Sequence, residues 1–198
     1  FVASNVHLPT FQSYLAANNA ALAVSFDVTK RDRHDKQQPY NLRVSWSGHQ
    51  TMGTGTSGGL YDIAWQRFYQ ADLRRGYLAG AASPQPGRRV VATPMHDTTA
   101  MNVQTAGVPA GAVKIGNDGS VAAIVPAGKA MTWELLNNDA AKTSQVKERF
   151  WVTFQPGEVR TCANCHGINT ADQAGAPPPS NMPAALADLL TYWKSTHP

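Results

Sequence analysis

The chain has 198 residues, of which 42% are hydrophobic and 15% charged, and its formal net charge is +4. This composition is typical of a folded, loop-rich protein with a substantial core and excludes a disordered chain. The basic residues are scattered and lack the aromatic signatures of RNA binding, so we expect no nucleic-acid partner. No apolar run approaches the roughly 18 residues of a membrane-spanning helix, so we expect no membrane span.

The N-terminal part, residues 1–87, combines strand and helix patterns. Alternating apolar residues predict strands over residues 22–28 and 42–46. Farther along, apolar residues recur at helical spacing from Ser57 to about Gly76, which predicts a helix. The residues on its apolar face are Leu60, Ile63, Ala64, Phe68 and Ala71. We therefore expect a mixed α/β part, to which the sequence assigns no role.

Residues 88–160 are dominated by strand patterns. Apolar runs predict strands at 89–92, 112–115, 120–125 and 131–136, and a last alternation covers Phe150, Val152 and Phe154. The turn Asn117-Asp118-Gly119 between two apolar runs predicts a β-hairpin. We expect a β-rich, sandwich-like body that leads directly into the C-terminal segment, residues 161–198.

Both cysteines of the chain stand in one pentapeptide, Cys162-Ala163-Asn164-Cys165-His166. A structural zinc site would need a second pair of ligands, which the sequence lacks. A disulfide between residues three apart closes too small a loop to stabilise much, and a thioredoxin-like redox pair lacks its usual context. The remaining interpretation uses all five residues, because Cys-x-x-Cys-His is the attachment sequence of haem c.

In that interpretation Cys162 and Cys165 bind the porphyrin through thioethers, and His166 is the proximal ligand of the iron. We therefore expect one covalently attached haem c. Haem attachment of this kind takes place outside the cytoplasm, so the sequence predicts a periplasmic or secreted protein. The mild positive charge favours docking with an acidic redox partner protein.

Residues within the strand-rich part and directly after it support a family resemblance. The segment from Asn117 to Ala140, followed by Gln155-Pro156-Gly157-Glu158, Arg160 and the pentapeptide, resembles the haem-bearing domain of proteins like the hydrazine synthase alpha subunit. The resemblance covers about residues 88–180. It implies a β-sandwich module of a larger periplasmic cytochrome, with the haem at the end of a sheet. Thr170 stands where hydrazine synthase has a tyrosine that ligates iron, so its catalytic activity does not carry over.

The sixth iron position decides between two functions. Met182 lies sixteen residues after His166 and is the first candidate for the distal ligand. His96, followed by Asp97, is the alternative. A thioether ligand would block the iron and raise its potential, giving a dedicated electron carrier. An open position would instead bind a small gaseous or peroxide ligand, as in a sensor or a haem enzyme.

After the pentapeptide, a proline-rich segment leads to a closing helix. Pro183 suits the first turn of this helix, and Leu186, Leu189, Leu190 and Trp193 recur at helical spacing. We expect its apolar face to cover the porphyrin. The complete expectation is an α+β chain with a β-rich, sandwich-like body, a cytochrome c-like attachment turn and a closing helix. It predicts a mono-haem electron-transfer cytochrome, and the alternative is a haem enzyme or gas-binding module with an open iron site.

Overall fold

The computed structural model describes residues 1–31, 41–51, 59–75, 88–163, 170–172 and 174–197. Within these ranges there are two α-helices, twelve strands and a short 3-10 helix, Thr99–Met101. The helices are α1 (Leu8–Ala17) and α2 (Ala184–Thr196). The strands are β1 (Ala20–Ser25), β2 (Asn41–Val44), β3 (Gln50–Thr51), β4 (Leu60–Ile63), β5 (Trp65–Arg75), β6 (Arg88–Pro94), β7 (Ala112–Lys114), β8 (Val121–Pro126), β9 (Ala130–Leu136), β10 (Ser144–Lys147), β11 (Val152–Thr153) and β12 (Val159–Cys162). The expected α+β, β-rich fold is confirmed.

The strands form three sheets. The small sheet has the order β12-β1-β8, with β12 parallel and β8 antiparallel to β1. The large sheet has the order β10-β9-β5-β6, and β11 and β7 add to β9 and β5. A third sheet has the order β3-β2-β4. The parallel pairing of β1 with β12 joins the first described strand to the last one.

The small sheet separates two apolar clusters because side chains alternate between the faces of a strand. Along β1, Leu22 and Val24 pack with the helices, whereas Ala21 packs against the large sheet. Along β8, Ile124 joins the helical cluster and Ala123 joins the inter-sheet cluster. The core is therefore layered as helices, small sheet and large sheet.

The helix predicted from Ser57 to about Gly76 is wrong. Its described residues form β4 and β5, and β5 pairs with β9 on one side and with β6 and β7 on the other. The aromatic residues Trp65, Phe68 and Tyr69 suit a strand that has neighbours along both edges. Gln66, Phe68 and Gln70 are the alternating buried residues of β5, so two polar side chains hide the period of a strand, and pairing over long sequence distances favours the strand.

The predicted hairpin around Asn117 is also corrected. β7 pairs with β5 in the large sheet, whereas β8 pairs with β1 in the small sheet. The turn itself forms, because the Gly116 amide donates to the Ser120 carbonyl at 2.8 Å and Gly119 has a φ of 81°. The turn thus carries the chain from one sheet to the other instead of joining two paired strands.

This turn also holds the closing helix. The Ala184 amide donates to Oδ2 of Asp118 at 2.9 Å, and the Ala185 amide donates to Oγ of Ser120 at 2.9 Å. Burial opposes ionisation of Asp118, but hydrogen bonds from Ser120 and Ala184 outweigh burial and hold the pKa of Asp118 below its usual range. Residues 118–120 therefore satisfy backbone donors that the first turn of α2 leaves free.

The predicted closing helix is confirmed as α2, but its apolar face does not have the expected neighbours. Leu186, Leu189 and Leu190 are buried in a cluster with Phe11 of α1 and Ile124 of β8. The apolar face of α2 therefore packs on α1 and the small sheet. The helix α1 had not been predicted from the sequence.

The predicted division at residues 87 and 160 stays a prediction. Strands from all three segments meet in the small sheet, because β1 lies in the first segment, β8 lies in the second, and β12 crosses the boundary at residue 160. The membrane expectation can be compared only with the described helices, and none of these is long and apolar enough to cross a bilayer.

We expect Leu189→Ala to lower the free energy of unfolding by about 2–5 kcal/mol, because it leaves a cavity in the helical cluster. Leu189 is only 1% exposed. The matched control is Leu73→Ala, at a side chain that is 63% exposed, which we expect to change stability by less than about 0.5 kcal/mol. Urea unfolding measures both. Unchanged stability of Leu189→Ala would contradict the packing of α2 described above.

Candidate functional site

Cys162 is the last residue of β12 and lies beside the end of β1. Its register partner is Ser25, and the Phe26 amide donates to the Cys162 carbonyl at 2.9 Å. At the other end of β12, the Leu22 amide donates to the Glu158 carbonyl at 2.8 Å. The parallel ladder therefore fixes the backbone on which the first cysteine of the pentapeptide stands.

The alternation of β12 directs Cys162 toward the space between the sheets. Val159 packs with the helical cluster on one face, whereas Arg160 and Cys162 line a cleft on the other. This Cys162 cleft has a volume of about 300 Å³. Its walls are Ala23, Val24, Ser25, Gln66, Phe68, Val121, Trp133, Glu148, Val152, Phe154, Arg160 and Cys162. Most of them are apolar, so the cleft suits an apolar group.

Arg160 is held at this cleft by three contacts. Its Nε donates to Oε1 of Glu158 at 2.6 Å, and Nη2 donates to the Thr153 carbonyl at 3.1 Å. Its guanidinium carbon lies 4.6 Å from the centroid of the Phe154 ring. Burial opposes ionisation of Glu158, but hydrogen bonds from the Gln155 amide and Arg160 outweigh it and lower the pKa of Glu158. The cleft therefore carries a positive group in a defined position.

The thiol of Cys162 is partly desolvated. Cys162 is exposed as a residue, but burial of its sulfur raises the pKa of the thiol, against a smaller opposite effect of the Arg160 charge. The thiol is therefore in its protonated, weakly nucleophilic form at neutral pH.

The other predicted attachment residues, Cys165 and His166, lie outside the described residues. Their roles stay predictions from the sequence. Among the described residues no group of three or more histidine, cysteine or acidic side chains is arranged to hold a metal ion.

The two candidates for the distal ligand lie in described parts of the chain. Met182 is 48% exposed and precedes the first turn of α2, and it is not among the described residues that line the Cys162 cleft. The ring of His96 is 57% exposed. The described structure does not bring either side chain to the Cys162 cleft, and both assignments stay predictions.

His96 belongs to a polar cluster on the large sheet. Its Nδ1 lies 3.1 Å from the Pro94 carbonyl, and its Nε2 lies 3.3 Å from Nε2 of Gln70 and 3.6 Å from Oδ2 of Asp72. Lys129 bridges Asp72 at 2.8 Å and Asp97 at 2.6 Å. To bind iron, His96 would have to break the contacts that one of its ring nitrogens makes within this cluster.

Sequence reasoning missed the walls of the Cys162 cleft. Phe68 and Trp133 come from β5 and β9, and Ala23 comes from the facing sheet. The aromatic character of Phe68 and Trp133 and the alternation around Ala23 predict that these side chains are buried. No local signal shows that the three residues meet at Cys162. The contact depends on the pairing of strands that are far apart in the chain.

We expect Asp72→Asn to destabilise the protein by about 1–3 kcal/mol at pH 7, since it removes a charged acceptor. Hydrogen bonds from Lys129, Thr93 and Gln70 hold the pKa of Asp72 far below its usual range. A lowered folded-state pKa contributes stability above the unfolded value of about 3.9, and the contribution is lost as the pH falls further.

The difference between wild type and Asp72→Asn should therefore shrink between about pH 4 and pH 2 in urea unfolding. Asp188→Asn, on the exposed surface of α2, is the control and should have little effect at any pH. A difference in unfolding free energy that stays constant down to pH 2 would contradict the role assigned to the Asp72 carboxylate.

The environment of Cys162 predicts slow alkylation. In a Cys165→Ala variant without haem, Cys162 should react with iodoacetamide several-fold more slowly at pH 7 than in the same protein unfolded by urea. Arg160→Gln should slow it further, because the loss of the positive charge raises the thiol pKa. Mass spectrometry of the alkylated fraction measures both rates. Equal rates in the folded and unfolded protein would show that the thiol is not desolvated.

The fold and the cleft define a class: a β-rich domain of two facing sheets, with a cysteine at the edge of an apolar inter-sheet cleft. A family model described as "Hydrazine synthase alpha subunit middle domain" matches residues 69–167. The match covers half of the chain, from β5 through the pentapeptide. This chain therefore belongs to the hydrazine synthase alpha subunit middle-domain family, as the sequence resemblance had indicated.

Among solved structures, hydrazine synthase from Kuenenia stuttgartiensis matches with 17% sequence identity and a TM-score of 0.43. The match covers 85% of this chain and 20% of that chain, so this chain spans about a fifth of the length of its solved relative. No curated protein matches the chain.

Proposed function

We propose that this chain is a mono-haem domain that transfers electrons through a haem c attached to Cys162 and Cys165. The observation that carries the proposal is the position of Cys162, at the edge of an apolar cleft between two sheets. Both cysteines of the chain belong to one Cys-x-x-Cys-His sequence, which is the pattern of covalent haem attachment.

The described residues fit an apolar cofactor edge beside Cys162. Phe68, Trp133 and Phe154 form aromatic walls, and the charged residues of the lining are Glu148 and Arg160, of which Arg160 is paired with Glu158. In the proposal Cys162 and Cys165 hold the porphyrin, and His166 binds the iron on one side. When bound, haem c supplies a one-electron couple whose potential depends on the axial ligands and on burial.

The residues of this chain then have three tasks. The β1–β12 ladder fixes one attachment point, so that the cofactor keeps one orientation relative to the surface. The apolar walls exclude water and lower the local polarity. The ion pair between Arg160 and Glu158, at 2.6 Å, fixes the position of the Arg160 side chain at the cleft without adding net charge.

The proposal includes a location and a partner. Thioether attachment takes place outside the cytoplasm, so we place the protein in the periplasm or among secreted proteins. The net charge of +4 supports an acidic protein as the redox partner.

A second candidate function is a haem enzyme or a module that binds a small gas or peroxide. The family description carries this candidate, because it names a synthase. The two functions differ at the sixth iron position. A bound side chain such as Met182 would support electron transfer, whereas an open position would support ligand binding.

Absorption spectra test attachment. The purified protein, matured in a host equipped for haem c attachment, should show the thioether-haem spectrum in alkaline pyridine, and Cys162→Ala should change it to that of haem with one remaining vinyl group. Thr161→Ala, at the neighbouring residue of β12, is the control and should leave the wild-type spectrum. A wild-type protein without haem would overturn the proposal.

The ferrous spectrum with and without CO then separates the two functions. We expect the spectrum to stay unchanged on addition of CO, because a six-coordinate electron carrier has no free position. Rapid CO binding by the untreated protein would reject the electron carrier and support the second candidate. Met182→Ala should open the iron to CO if Met182 is the distal ligand, and His96→Gln tests the alternative in the same assay.

A further inference from the structure

A buried glutamine of β5 faces the Cys162 cleft. Gln66 is 4% exposed and belongs to the lining of the cleft. The next residue, Arg67, donates from Nε to Oε1 of Glu134 at 2.8 Å, on the opposite face of the large sheet. Because side chains alternate along a strand, Gln66 faces the small sheet together with Phe68. In the part of the chain that the structure describes, the side-chain amide of Gln66 has no hydrogen-bond partner.

An unpartnered amide at this position destabilises the free protein. Gln70, a second buried glutamine of β5, provides the contrast. Its Nε2 donates to Oδ1 of Asp72 at 2.9 Å, and its Oε1 accepts from the backbone amides of His96 at 3.0 Å and Asp97 at 3.2 Å. Gln70 therefore stabilises the fold, whereas Gln66 loses hydration on burial without a described replacement. A ligand that hydrogen-bonds the Gln66 amide would supply that replacement.

A second polar side chain faces the cleft from the opposite wall. Ser25 ends β1 and is the register partner of Cys162, so the two side chains lie on the same face of the small sheet. Ser25 lines the cleft, and its hydroxyl has no hydrogen-bond partner among the described residues. The other uncharged residues of the lining, apart from Cys162, are apolar: Ala23, Val24, Phe68, Val121, Trp133, Val152 and Phe154. Two polar groups thus line an otherwise apolar space from two different sheets.

The charged residues of the described lining, Glu148 and Arg160, belong to the outer part of the cleft. Both are half-buried, whereas Gln66 is fully buried. Oε1 of Glu148 accepts hydrogen bonds from the backbone amides of the next two residues at 2.7 and 2.9 Å, and Arg160 donates to Glu158. A charged ligand head at Gln66 would therefore be buried beside an uncharged amide, without an ionic partner from the described inner wall.

We infer that the Cys162 cleft binds a small uncharged molecule through one hydrogen-bonding head at Gln66. The apolar body of this molecule lies against the aromatic walls Phe68, Trp133 and Phe154. Ligand pockets are mostly apolar cavities of about 300–1,000 Å³ with a few placed polar groups, and this cleft of about 300 Å³ has that composition.

The chemistry of the two polar side chains defines the head of the ligand. The Gln66 amide offers both a donor and an acceptor, and the Ser25 hydroxyl can act as either. These groups suit a hydroxyl or a primary amide. An ionised head would lose its hydration without gaining an opposite charge, so the ligand is neutral.

The inference goes beyond the proposed electron transfer and rests on the walls of the cleft alone. Cys162, to which the proposed haem is attached, is exposed as a residue and lies at the mouth of the cleft. The inferred ligand occupies the space between the two sheets, beside Gln66. The purified protein therefore permits separate tests of ligand binding and haem attachment.

Equilibrium dialysis of the purified protein against benzamide tests the site. Benzoate and benzamidine, which have the same shape but carry a negative or a positive charge, should bind at least about tenfold more weakly than benzamide. Gln66→Met, which keeps an unbranched side chain of similar length, should weaken benzamide binding about tenfold because it removes the hydrogen bonds to the head. Gln50→Met, at an exposed position of β3, is the control and should keep the wild-type affinity.

Urea unfolding without benzamide separates ligand recognition from a structural role of Gln66. Gln66→Met should raise the urea midpoint, since it replaces an unpaired buried amide by an apolar group. A lower midpoint or a failure to fold in both Gln66→Met and Gln66→Leu would overturn the inference, because the amide would then hold the fold.

Three dialysis results would also overturn the inference: no binding of benzamide to wild type, equal affinity of Gln66→Met, or a charged probe that binds as tightly as benzamide. Protein without covalent haem would instead refute the proposed function and leave the benzamide assay valid.

Discussion

The parallel pairing of β1 with β12 is the constraint on which the site depends. It joins residues 20–25 to residues 159–162, and more than a hundred residues lie between them. Hydrogen bonds from Leu22 to Glu158 and from Phe26 to Cys162 close this ladder at both ends. A parallel pair needs a crossover connection of about a dozen residues or more, and the much longer connection here contains the large sheet that faces the ladder. The same pairing therefore positions Cys162 and supplies the wall opposite it.

The two faces of the small sheet pack against different parts of the protein. Leu22, Val24 and Ile124 anchor the helices, and these contacts bury the apolar faces of α1 and α2. The other face, with Ala21, Ala23 and Val121, packs toward the large sheet and leaves the Cys162 cleft. Packing on α1 and the small sheet thus accounts for the position of α2. The cleft is formed by the aromatic and aliphatic side chains of the facing sheet.

Local signals in the sequence predicted several elements well. Alternation located β1 and β2, apolar runs located β6 and β9, and the spacing of leucines together with Pro183 located α2. The β-rich body leading directly into the pentapeptide was also predicted. Local signals failed where the pairing of strands distant in sequence decides which element forms. β5 has apolar spacing that fits a helix, but it lies between two neighbouring strands, and the turn at Asn117 joins strands of different sheets.

The candidate site likewise has one part that local sequence predicts and another part that depends on distant strand pairing. The pentapeptide can be recognised from five consecutive residues, and the family match, residues 69–167, extends over it. The lining of the Cys162 cleft could not be predicted, because its residues come from distant strands. Ser25 and Gln66 belong to different sheets, and nothing in either local sequence indicates that they line one cleft.

The most direct test of the account is the mass of the tryptic peptide that covers residues 161–194. In protein matured with haem c attachment machinery, this peptide should carry one haem through both cysteines. The same peptide at its unmodified mass, with two thiols open to alkylation, would contradict the account.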